Sequence, residues 1–411
     1  MSKDQSAEMM SRPLPKGWSW VPLGQYVENH DGRRVPISRS ERESRQGAFP
    51  YYGASGVIDT IDGFTHEGEF VLIGEDGANL LTRSKPLAFL TRGKVWVNNH
   101  AHVLRCKPGF SNAYLAYYIN SINLSAYVTG TAQPKLSQSM MNKIPIPVAP
   151  PEQQTEIVAE IEKQFSRLDE AVANLQRVKA NLKRYKASVL KAAVEGRLVE
   201  TKGEWRMSTL GDEGSIAGGL TKNQKRNDLP LKLPYLRVAN VYANELRLDD
   251  IEYIGVAEKE LEKLLVQKGD LLVVEGNGSP DQIGRVALWN DAIPNCVHQN
   301  HLIKIRFGDG VLSEWALVWM LSPVGRRAIE QVSVSTSGLH TLSVGKVSRL
   351  PIGVPSLEEQ FRIVAEVDRQ LSVLRGMVTA VDANLQRSKS LRQSILTNAF
   401  FSPSPIEGST A

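Results

Sequence analysis

Residues 136–194 read LSQSMMNKIPIPVAPPEQQTEIVAEIEKQFSRLDEAVANLQRVKANLKRYKASVLKAAV, and residues 342–400 read LSVGKVSRLPIGVPSLEEQFRIVAEVDRQLSVLRGMVTAVDANLQRSKSLRQSILTNAF. The second stretch repeats the first at an offset of 206 residues. A repeat of this kind has to be recognised first, because it decides the architecture before any single element is assigned. It predicts that one chain contains two similar scaffolds.

Each copy ends in a predicted long helix. Apolar residues recur there at alternating steps of three and four, the pattern of a two-stranded coiled-coil seam. Acidic residues follow Pro151 and Ser356, where a helix dipole favours negative charge. About 45 residues at 1.5 Å rise make each helix roughly 65 Å long. Polar residues such as Lys179 and Arg392 interrupt the seam, which otherwise comprises Val158, Ile161, Phe165, Leu168, Val172, Leu175 and Leu182 in the first copy, and Val364, Val367, Leu371, Leu374, Val378, Val381 and Leu385 in the second.

A shorter motif opens each copy, at residues 17–24 (GWSWVPLG) and 204–211 (EWRMSTLG), with an offset of 187. Because the offset later grows to 206, 19 additional residues lie in the second variable region. The two variable regions, between opening motif and long repeat, share almost no sequence. Two alike scaffolds therefore carry two unlike surfaces.

Both variable regions are predicted to be mixed α/β, with β-rich runs such as residues 70–73 and 270–274 and helices at 112–122 and 313–329. The predicted fold class is α+β: two mixed α/β domains in a pseudo-twofold repeat, separated by two long antiparallel coiled-coil helices. The predicted boundaries are flexible ends at 1–14 and 402–411, domains at 15–149 and 201–355, and helices at 150–200 and 356–401.

The composition is that of an ordinary globular protein of 411 residues, with 42% hydrophobic residues. The net charge of +5 weakly favours binding to polyanions. Neither Cys106 nor Cys296 has a second Cys or a His at metal-ligand spacing, which argues against a disulfide scaffold and a zinc module. Met1–Met10 lacks an apolar segment, and no apolar run approaches the roughly 18 residues of a membrane helix. We expect a reduced, cytoplasmic protein.

A pair of long helices between two unlike heads suits duplex DNA, whose local dyad lets two heads enter grooves on one face, one turn spanning about 34–36 Å. The segments 133–137 (QPKLS), 144–148 (IPIPV) and 150–154 (PPEQQ), followed by the heptad helix, resemble the specificity subunit of type I restriction-modification enzymes. The resemblance covers about residues 14–401. The second copy departs from the pattern at residues 339–340 (LH) and at Gly353, which we interpret as loop variation.

The resemblance implies that each variable region is a target recognition domain for double-stranded DNA and that the helices form the spacer. It also implies two DNA-adenine methyltransferase subunits and restriction/translocase subunits as partners, with S-adenosylmethionine, ATP and Mg held by those partners and no cofactor in this chain. The residues themselves offer no amino-methyltransferase tetrapeptide and no phosphate loop, so no catalytic residue is nominated. A coiled-coil adaptor with two protein- or ligand-binding heads stays open as an alternative.

Candidate DNA contacts lie in polar loops, where Arg and Asn side chains have the donor and acceptor groups that guanine and adenine edges require. Solvated loops, or amides that satisfy the backbone, are the competing interpretation. A metal site is not expected, because the His-x-His spacing at His100 and His102 lacks a third ligand and Asp76-Gly77 suits a turn. The candidates are Arg33, Arg34, Arg39, Tyr51, Tyr52, Ser55, Asn79, Asn98, Asn99 and His100 in the first region, and Lys222, Lys225, Arg226, Arg237, Asn240, Asn277, Ser279, Gln299 and Asn300 in the second.

Overall fold

The computed structural model describes residues 10–11, 13–130, 132–276, 282–333 and 341–401. The chain forms two compact units. Unit 1 is built from the chain up to Leu175 together with the chain from Ala383 onward, and unit 2 is Gln176–Asp382. Each long helix therefore contributes one part to each unit.

Short strands and short helices alternate along unit 1 until the first long helix begins. In chain order they are β1 (Ser19–Pro22), α1 (Leu23–Tyr26), β2 (Val27–Asn29), α2 (Arg39–Ser44), β3 (Phe49–Gly53), β4 (Gly56–Ile61), β5 (His66–Glu67), β6 (Phe70–Gly74), α3 (Asn79–Thr82), β7 (Ala88–Thr91), β8 (Lys94–Val97), β9 (Ala101–Cys106), α4 (Asn112–Ser121), α5 (Gln138–Met141), β10 (Pro145–Val148) and α6 (Pro151–Val194).

Unit 2 repeats this succession up to the second long helix. Its elements are β11 (Arg206–Thr209), α7 (Leu210–Glu213), β12 (Gly214–Gly218), β13 (Lys232–Leu236), β14 (Val241–Tyr242), β15 (Glu245–Leu246), β16 (Glu252–Gly255), α8 (Leu261–Leu264), β17 (Leu271–Val274), β18 (Val286–Leu288), β19 (Val297–His298), β20 (Leu302–Phe307), α9 (Ser313–Leu321), α10 (Pro323–Ser333), α11 (Val344–Ser348), β21 (Pro351–Val354) and α12 (Leu357–Phe401).

The strands of the two units are connected in the same way. The antiparallel sheet β2-β9-β6-β7 of unit 1 corresponds to β12-β20-β17-β18 of unit 2. A second sheet, β4-β3-β8-β5, contains the parallel pair β3–β8, and unit 2 has the parallel pair β13–β19 within β16-β13-β19. The antiparallel pairs β1–β10 and β11–β21 join each opening motif to the long repeat. Two variable regions with unlike sequences therefore share the same four-stranded antiparallel sheet and the same parallel strand pair.

The central strands β6 and β17 are apolar on both faces because each separates two clusters of the core. Val71 and Ile73 pack toward the helices of unit 1, whereas Phe70 and Leu72 pack toward the second sheet. Successive side chains of a strand point to opposite faces, so an uninterrupted apolar run is expected for a strand covered on both sides. Residues 271–274 alternate between two clusters of unit 2 in the same manner.

One glutamine fixes the start of each long helix. The Gln154 side chain donates to Ala149 O (2.8 Å) and accepts from the Tyr26 hydroxyl (3.1 Å) and Ser111 N (3.0 Å). Gln360 occupies the matching position at the start of α12 and donates to Pro355 O (2.9 Å). Both side chains are almost fully buried. A buried amide can satisfy a donor and an acceptor at once, which explains a glutamine at this position of both copies.

The two long helices run antiparallel within each unit. In unit 1 Arg392 pairs with Asp169 and lies over the Phe165 ring, 4.1 Å from its centroid, while Phe400 shares a cluster with Ile161 nearer the start of α6. In unit 2 Lys179 pairs with Asp382 (2.6 Å), Tyr185 donates to Gln370 (3.3 Å), and Leu190 shares a cluster with Ile363. All fourteen predicted seam residues are buried or half-buried.

These observations confirm the α+β class, the internal repeat and the antiparallel long helices. The prediction of one helix over residues 313–329 is wrong. Helix α9 ends at Leu321 and α10 begins at Pro323, because proline disfavours helical conformation in the residue before it and is well suited to a first helical turn. Within the described part of the chain, no helix is both long enough and apolar enough to cross a membrane.

Candidate nucleic-acid interface

Three loops of unit 1, those that follow β3, β6 and β8, meet at one end of its sheets. Asn98 N donates to Tyr52 O (3.1 Å), which joins the loop after β8 to the end of β3. Glu75 N donates to His100 O (2.9 Å), which joins the loop after β6 to the loop after β8. Backbone hydrogen bonds thus hold side chains from three sequence-distant segments at one surface.

A buried ion network lies beneath this surface. Arg34 Nη1 is 2.5 Å from Glu75 Oε2 and donates to Ala101 O (2.9 Å), and Arg34 Nη2 is 3.5 Å from Asp31 Oδ2. Lys135 Nζ is 3.1 Å from the other Glu75 oxygen. Burial would raise the pKa of Glu75, but the hydrogen bond from Arg34 and the charge of His102 hold it below its ordinary value. The network ties the Arg-rich loop, the end of β6 and the segment before Leu136 together.

His102 is the centre of that network. Its Nδ1 is 2.6 Å from Asp31 Oδ2 and its Nε2 is 2.8 Å from Leu136 O. A carbonyl oxygen can only accept, and an ionised carboxylate likewise, so both ring nitrogens donate and the imidazole is protonated. Burial lowers the pKa of His102, but these two hydrogen bonds and the charges of Asp31 and Glu75 raise it above its ordinary value. Burial raises the pKa of Asp31, and its hydrogen bonds with His102 and Val103 N hold it below its ordinary value.

The ligand atoms of Asp31, Glu75 and His102 lie within 4.8 Å of one another, a spacing that a metal ion could use. The carboxylate oxygens of Glu75 contact Arg34 and Lys135, and a carboxylate oxygen of Asp31 contacts the protonated ring of His102. Positive charge is therefore supplied by side chains of this chain. The arrangement is explained as an ion network, and no catalytic step is derived from it.

Unit 2 has the same backbone arrangement, with some side chains alike and others different. Gln299 N donates to Leu236 O (2.9 Å) and Glu275 N donates to His301 O (2.9 Å), so Gln299 corresponds to Asn98 and His301 to His100. His301 Nδ1 is 3.0 Å from Glu275 Oε2. His102 pairs with Ile73 of β6, and the equivalent position, opposite Val273 of β17, is taken by Ile303. The buried ion network therefore belongs to unit 1, and unit 2 has an apolar residue at its centre.

Three of the predicted contacts in unit 1 serve the fold instead of a surface. Tyr51 is 1% exposed, and its hydroxyl hydrogen-bonds with the backbone of Ile37. The amide of Asn79 accepts from Lys85 N (2.9 Å) and donates to Lys85 O (3.2 Å), which closes the turn after α3. Arg34 is engaged in the ion network. For these residues the expectation of base or phosphate contact is corrected, since each polar group already has a partner inside the protein.

Three predicted contacts in unit 2 are corrected for the same reason. Both Nη atoms of Arg226 lie 3.0 Å from the oxygens of Glu260. Arg237 donates to Asp250 and Glu252 at 2.7 Å each. Asn240 is 2% exposed, and its amide accepts from Arg237 N (2.8 Å). The Nη groups of both arginines are therefore occupied by carboxylates, and Arg237 Nε is buried without a hydrogen-bond partner among the described residues.

The other predicted contacts that the structure describes lie in loops, in short helical segments or at strand ends and, apart from Asn98, are exposed or half-buried. Tyr52 stacks on Phe89 with ring centroids 5.7 Å apart, and burial raises the pKa of its hydroxyl. Arg39 and Lys222 form ion pairs at the surface, with Glu43 and Glu252. Asn277 and Ser279 fall outside the described residues. The remaining members of the group are Arg33, Ser55, Asn99 and His100 in unit 1, and Lys225, Gln299 and Asn300 in unit 2.

The sequence did not predict the hairpin β14–β15 of unit 2, which has no counterpart among the described residues of unit 1. The guanidinium carbons of Arg247 and Arg285 lie 3.9 Å and 4.7 Å from the centroid of the Tyr242 ring. Asn244 turns the hairpin with φ at +57°. The additional length of the second variable region was the sequence signal for an inserted element. The stacking of Arg247 and Arg285 on Tyr242 depends on tertiary contacts, which no local sequence pattern specifies.

Residues 15–184 and 202–371 each match the model of the type I restriction modification DNA specificity domain. Two such domains in tandem, with the shared topology and the paired helices described above, place the chain in one class of protein. The chain belongs to the family of type I restriction-modification DNA specificity subunits. The alternative of an adaptor without DNA specificity has no support from these comparisons.

Relatives of similar length carry the same description. The chain is 28% identical to a putative type I restriction enzyme specificity subunit of Haemophilus influenzae, over 92% of this chain and 94% of that protein. It is 26% identical to the EcoKI specificity subunit of Escherichia coli, over 95% and 90%. Its fold is similar to a chain from a structural study of assembly and conformational transition of the type I restriction-modification system (TM-score 0.70, 19% identity, 95% and 100% covered). It is also similar to the HsdS subunit of Thermoanaerobacter tengcongensis (TM-score 0.55, 18% identity, 96% and 99% covered).

Proposed function

We propose that this specificity subunit reads a bipartite, asymmetric DNA target, with one half-site for each unit. One observation carries the proposal: the ends of β3 and β8 and those of β13 and β19 occupy equivalent positions but differ in part of their side chains. Tyr52 and Asn98 in unit 1 correspond to Leu236 and Gln299 in unit 2, whereas Asn99 and Asn300 are alike. Equivalent scaffolds with unlike donors and acceptors suit two half-sites of unlike sequence.

The proposed contacts divide into two groups by chemistry. Arg33, Arg39, Lys222 and Lys225 are exposed cations, and we assign them to phosphates, which position a protein on DNA without specifying sequence. Ion pairs at an exposed surface contribute little, roughly 0–1 kcal/mol, so Arg39 and Lys222 can exchange a carboxylate partner for a phosphate. The proposed base-edge contacts are Tyr52, Ser55, Asn98, Asn99, His100, Gln299 and Asn300.

We further propose that the chain is non-catalytic and recruits its chemistry. Its partners would be two DNA-adenine methyltransferase subunits and restriction/translocase subunits, which would hold S-adenosylmethionine, ATP and Mg. Apolar side chains one turn apart on α12 in unit 2, Val373 at 51% and Met377 at 49% exposure, support a protein-binding surface on the helix.

The test begins with the DNA of a host that produces this chain together with its methyltransferase. Methylation-aware sequencing should show two short blocks separated by a gap of unspecified bases. Replacing residues 25–130 by the corresponding segment of a related subunit should change one block and leave the other. Binding to a labelled target should weaken steeply with salt, as phosphate contacts require, while the two blocks stay protected. Equal binding to all sequences at every salt concentration would overturn the proposal.

A further inference from the structure

A small notch lies beside the base-contact loops of unit 1. The three heavy atoms nearest to the position that a Cβ of Gly53 would occupy are Ile58 Cδ1 at 3.2 Å, Ile58 Cγ2 at 3.4 Å and Asn98 Nδ2 at 3.6 Å. Gly53 has no left-handed φ, so the backbone conformation does not require glycine here. The lack of a side chain at Gly53 lets Ile58 and the Asn98 amide come close to its backbone, so an apolar side chain and an amide donor lie next to each other. We call Gly53, Ile58 and Asn98 the Gly53 notch.

Ile58 reaches the notch because of a β-bulge. Tyr51 pairs with Asp59 and Tyr52 with Val57, which leaves Ile58 as the extra residue of β4. A bulge redirects side chains and often stands next to a functional surface. Ile58 is 55% exposed and belongs to none of the buried clusters of the core among the described residues. Its apolar atoms are therefore available to a ligand.

The orientation of the Asn98 amide follows from its own hydrogen bond. Asn98 Oδ1 accepts from His100 N at 2.8 Å. A backbone N–H can only donate, so the oxygen faces His100 and the amide nitrogen faces the notch. Among the described residues Asn98 Nδ2 has no acceptor, and it is absent from the fully buried atoms that lack a partner. The fold therefore holds a donor without an acceptor, on a side chain that is 5% exposed, beside the exposed Ile58.

We propose that the Gly53 notch recognises a thymine in the half-site of unit 1, a proposal that rests on the DNA-reading function above. Asn98 Nδ2 would donate to thymine O4, and Ile58 would contact the neighbouring 5-methyl group. In the major groove thymine is the base that presents an acceptor next to a methyl group. Cytosine presents an N4 donor at the place of O4, which would face the amide donor, and purines have no methyl group to meet Ile58.

The test uses the full chain and target duplexes in which each thymine of the target is replaced, one at a time, by deoxyuridine. This change deletes a methyl group and keeps O4. One position should bind about four-fold more weakly, the equivalent of roughly 0.8 kcal/mol for a buried carbon. Ile58→Ala should bind thymine and uracil equally at that position. Val57→Ala is the matched control, because Val57 is 54% exposed in the same strand, and it should keep the four-fold difference.

A second variant tests the donor. Asn98→Asp keeps an oxygen for His100 N and replaces the amide donor with an acceptor. Its preferred base at the uracil-sensitive position should change from thymine to cytosine, whose N4 donates to carboxylates. A purely structural role for Asn98 would lower affinity for every sequence and leave the preference unchanged.

The outcomes separate the two proposals. If the wild-type chain binds its target selectively but no thymine is sensitive to loss of its methyl group, the notch proposal fails and the DNA-reading function stands. The notch proposal also fails if Ile58→Ala keeps the discrimination. If the wild-type chain shows no sequence preference at all, the proposed function itself fails.

Discussion

Replacing His102 with isoleucine removes the centre of the ion network in unit 1. Isoleucine is the residue that unit 2 has at the equivalent position, Ile303, so the strand accepts its shape. His102 is 1% exposed, and in the variant Asp31 would keep Val103 N at 2.7 Å but lose the imidazolium at 2.6 Å. Breaking a buried ion pair from one side costs roughly 3–5 kcal/mol. Arg34 still lies 3.5 Å from Asp31, so we expect a loss near the lower end, about 3 kcal/mol.

The loss should depend on pH in a defined direction. The pKa of His102 lies above its ordinary 6.5, so its contribution to stability is fully present below that value and disappears as pH rises through the folded-state pKa. The pKa of Asp31 lies below its ordinary 3.8, so its contribution is present above that value and disappears as pH falls through the folded-state pKa. The difference between wild type and variant should be largest near about pH 5 and shrink toward alkaline pH.

Hydrogen exchange of individual amides is the appropriate assay, because a chain of two units need not unfold in one transition. Amides of β6 and β9 should lose protection in the variant, while those of β17 and β20 in unit 2 serve as an internal control. Protection of β6 and β9 within about 1 kcal/mol of wild type would refute the reasoning, since a surface-like pair contributes no more than that. Equal loss in both units, or a loss that does not change with pH, would refute it as well.

Two further predictions concern packing, and a third concerns an ion pair. Phe400→Ala should destabilise unit 1 by about 3–5 kcal/mol, because this nearly buried ring belongs to its core, and exchange in β6 should report the loss while β17 is unchanged. Gly219→Ala should destabilise unit 2 by about 1–3 kcal/mol, because the new Cβ would lie 2.1 Å from the carbonyl oxygen of His298. Gly345→Ala is the control and should not destabilise it, because no atom lies within 4 Å of the new Cβ. Equal unfolding midpoints for the two variants would contradict this prediction. A double-mutant cycle of Lys179→Met and Asp382→Asn should give a coupling free energy below about 1 kcal/mol, because both side chains are about half exposed. This coupling free energy should fall as salt is added. A value above about 2 kcal/mol would contradict the prediction.

The sequence alone determined the scaffold of this protein. The repeat at an offset of 206 residues, the alternating three and four steps of the seam, and the apolar runs at 70–73 and 271–274 predicted two similar units and two long helices. These features are legible because helix and strand periodicity depends on residues that are near one another in the chain. The same local argument missed the break at Ser322, where proline followed a helical apolar pattern.

Only the tertiary structure decided which polar residues remain available to a ligand. Nothing in the sequence distinguishes Arg34 and Arg237 from an exposed arginine. In the structure each of them is held by carboxylates that come from other segments of the chain. Ile58 is an unremarkable strand residue until a bulge turns it toward Gly53. Burial and charge pairing depend on residues that folding brings together from distant positions, and spacing along the chain carries no record of those partners.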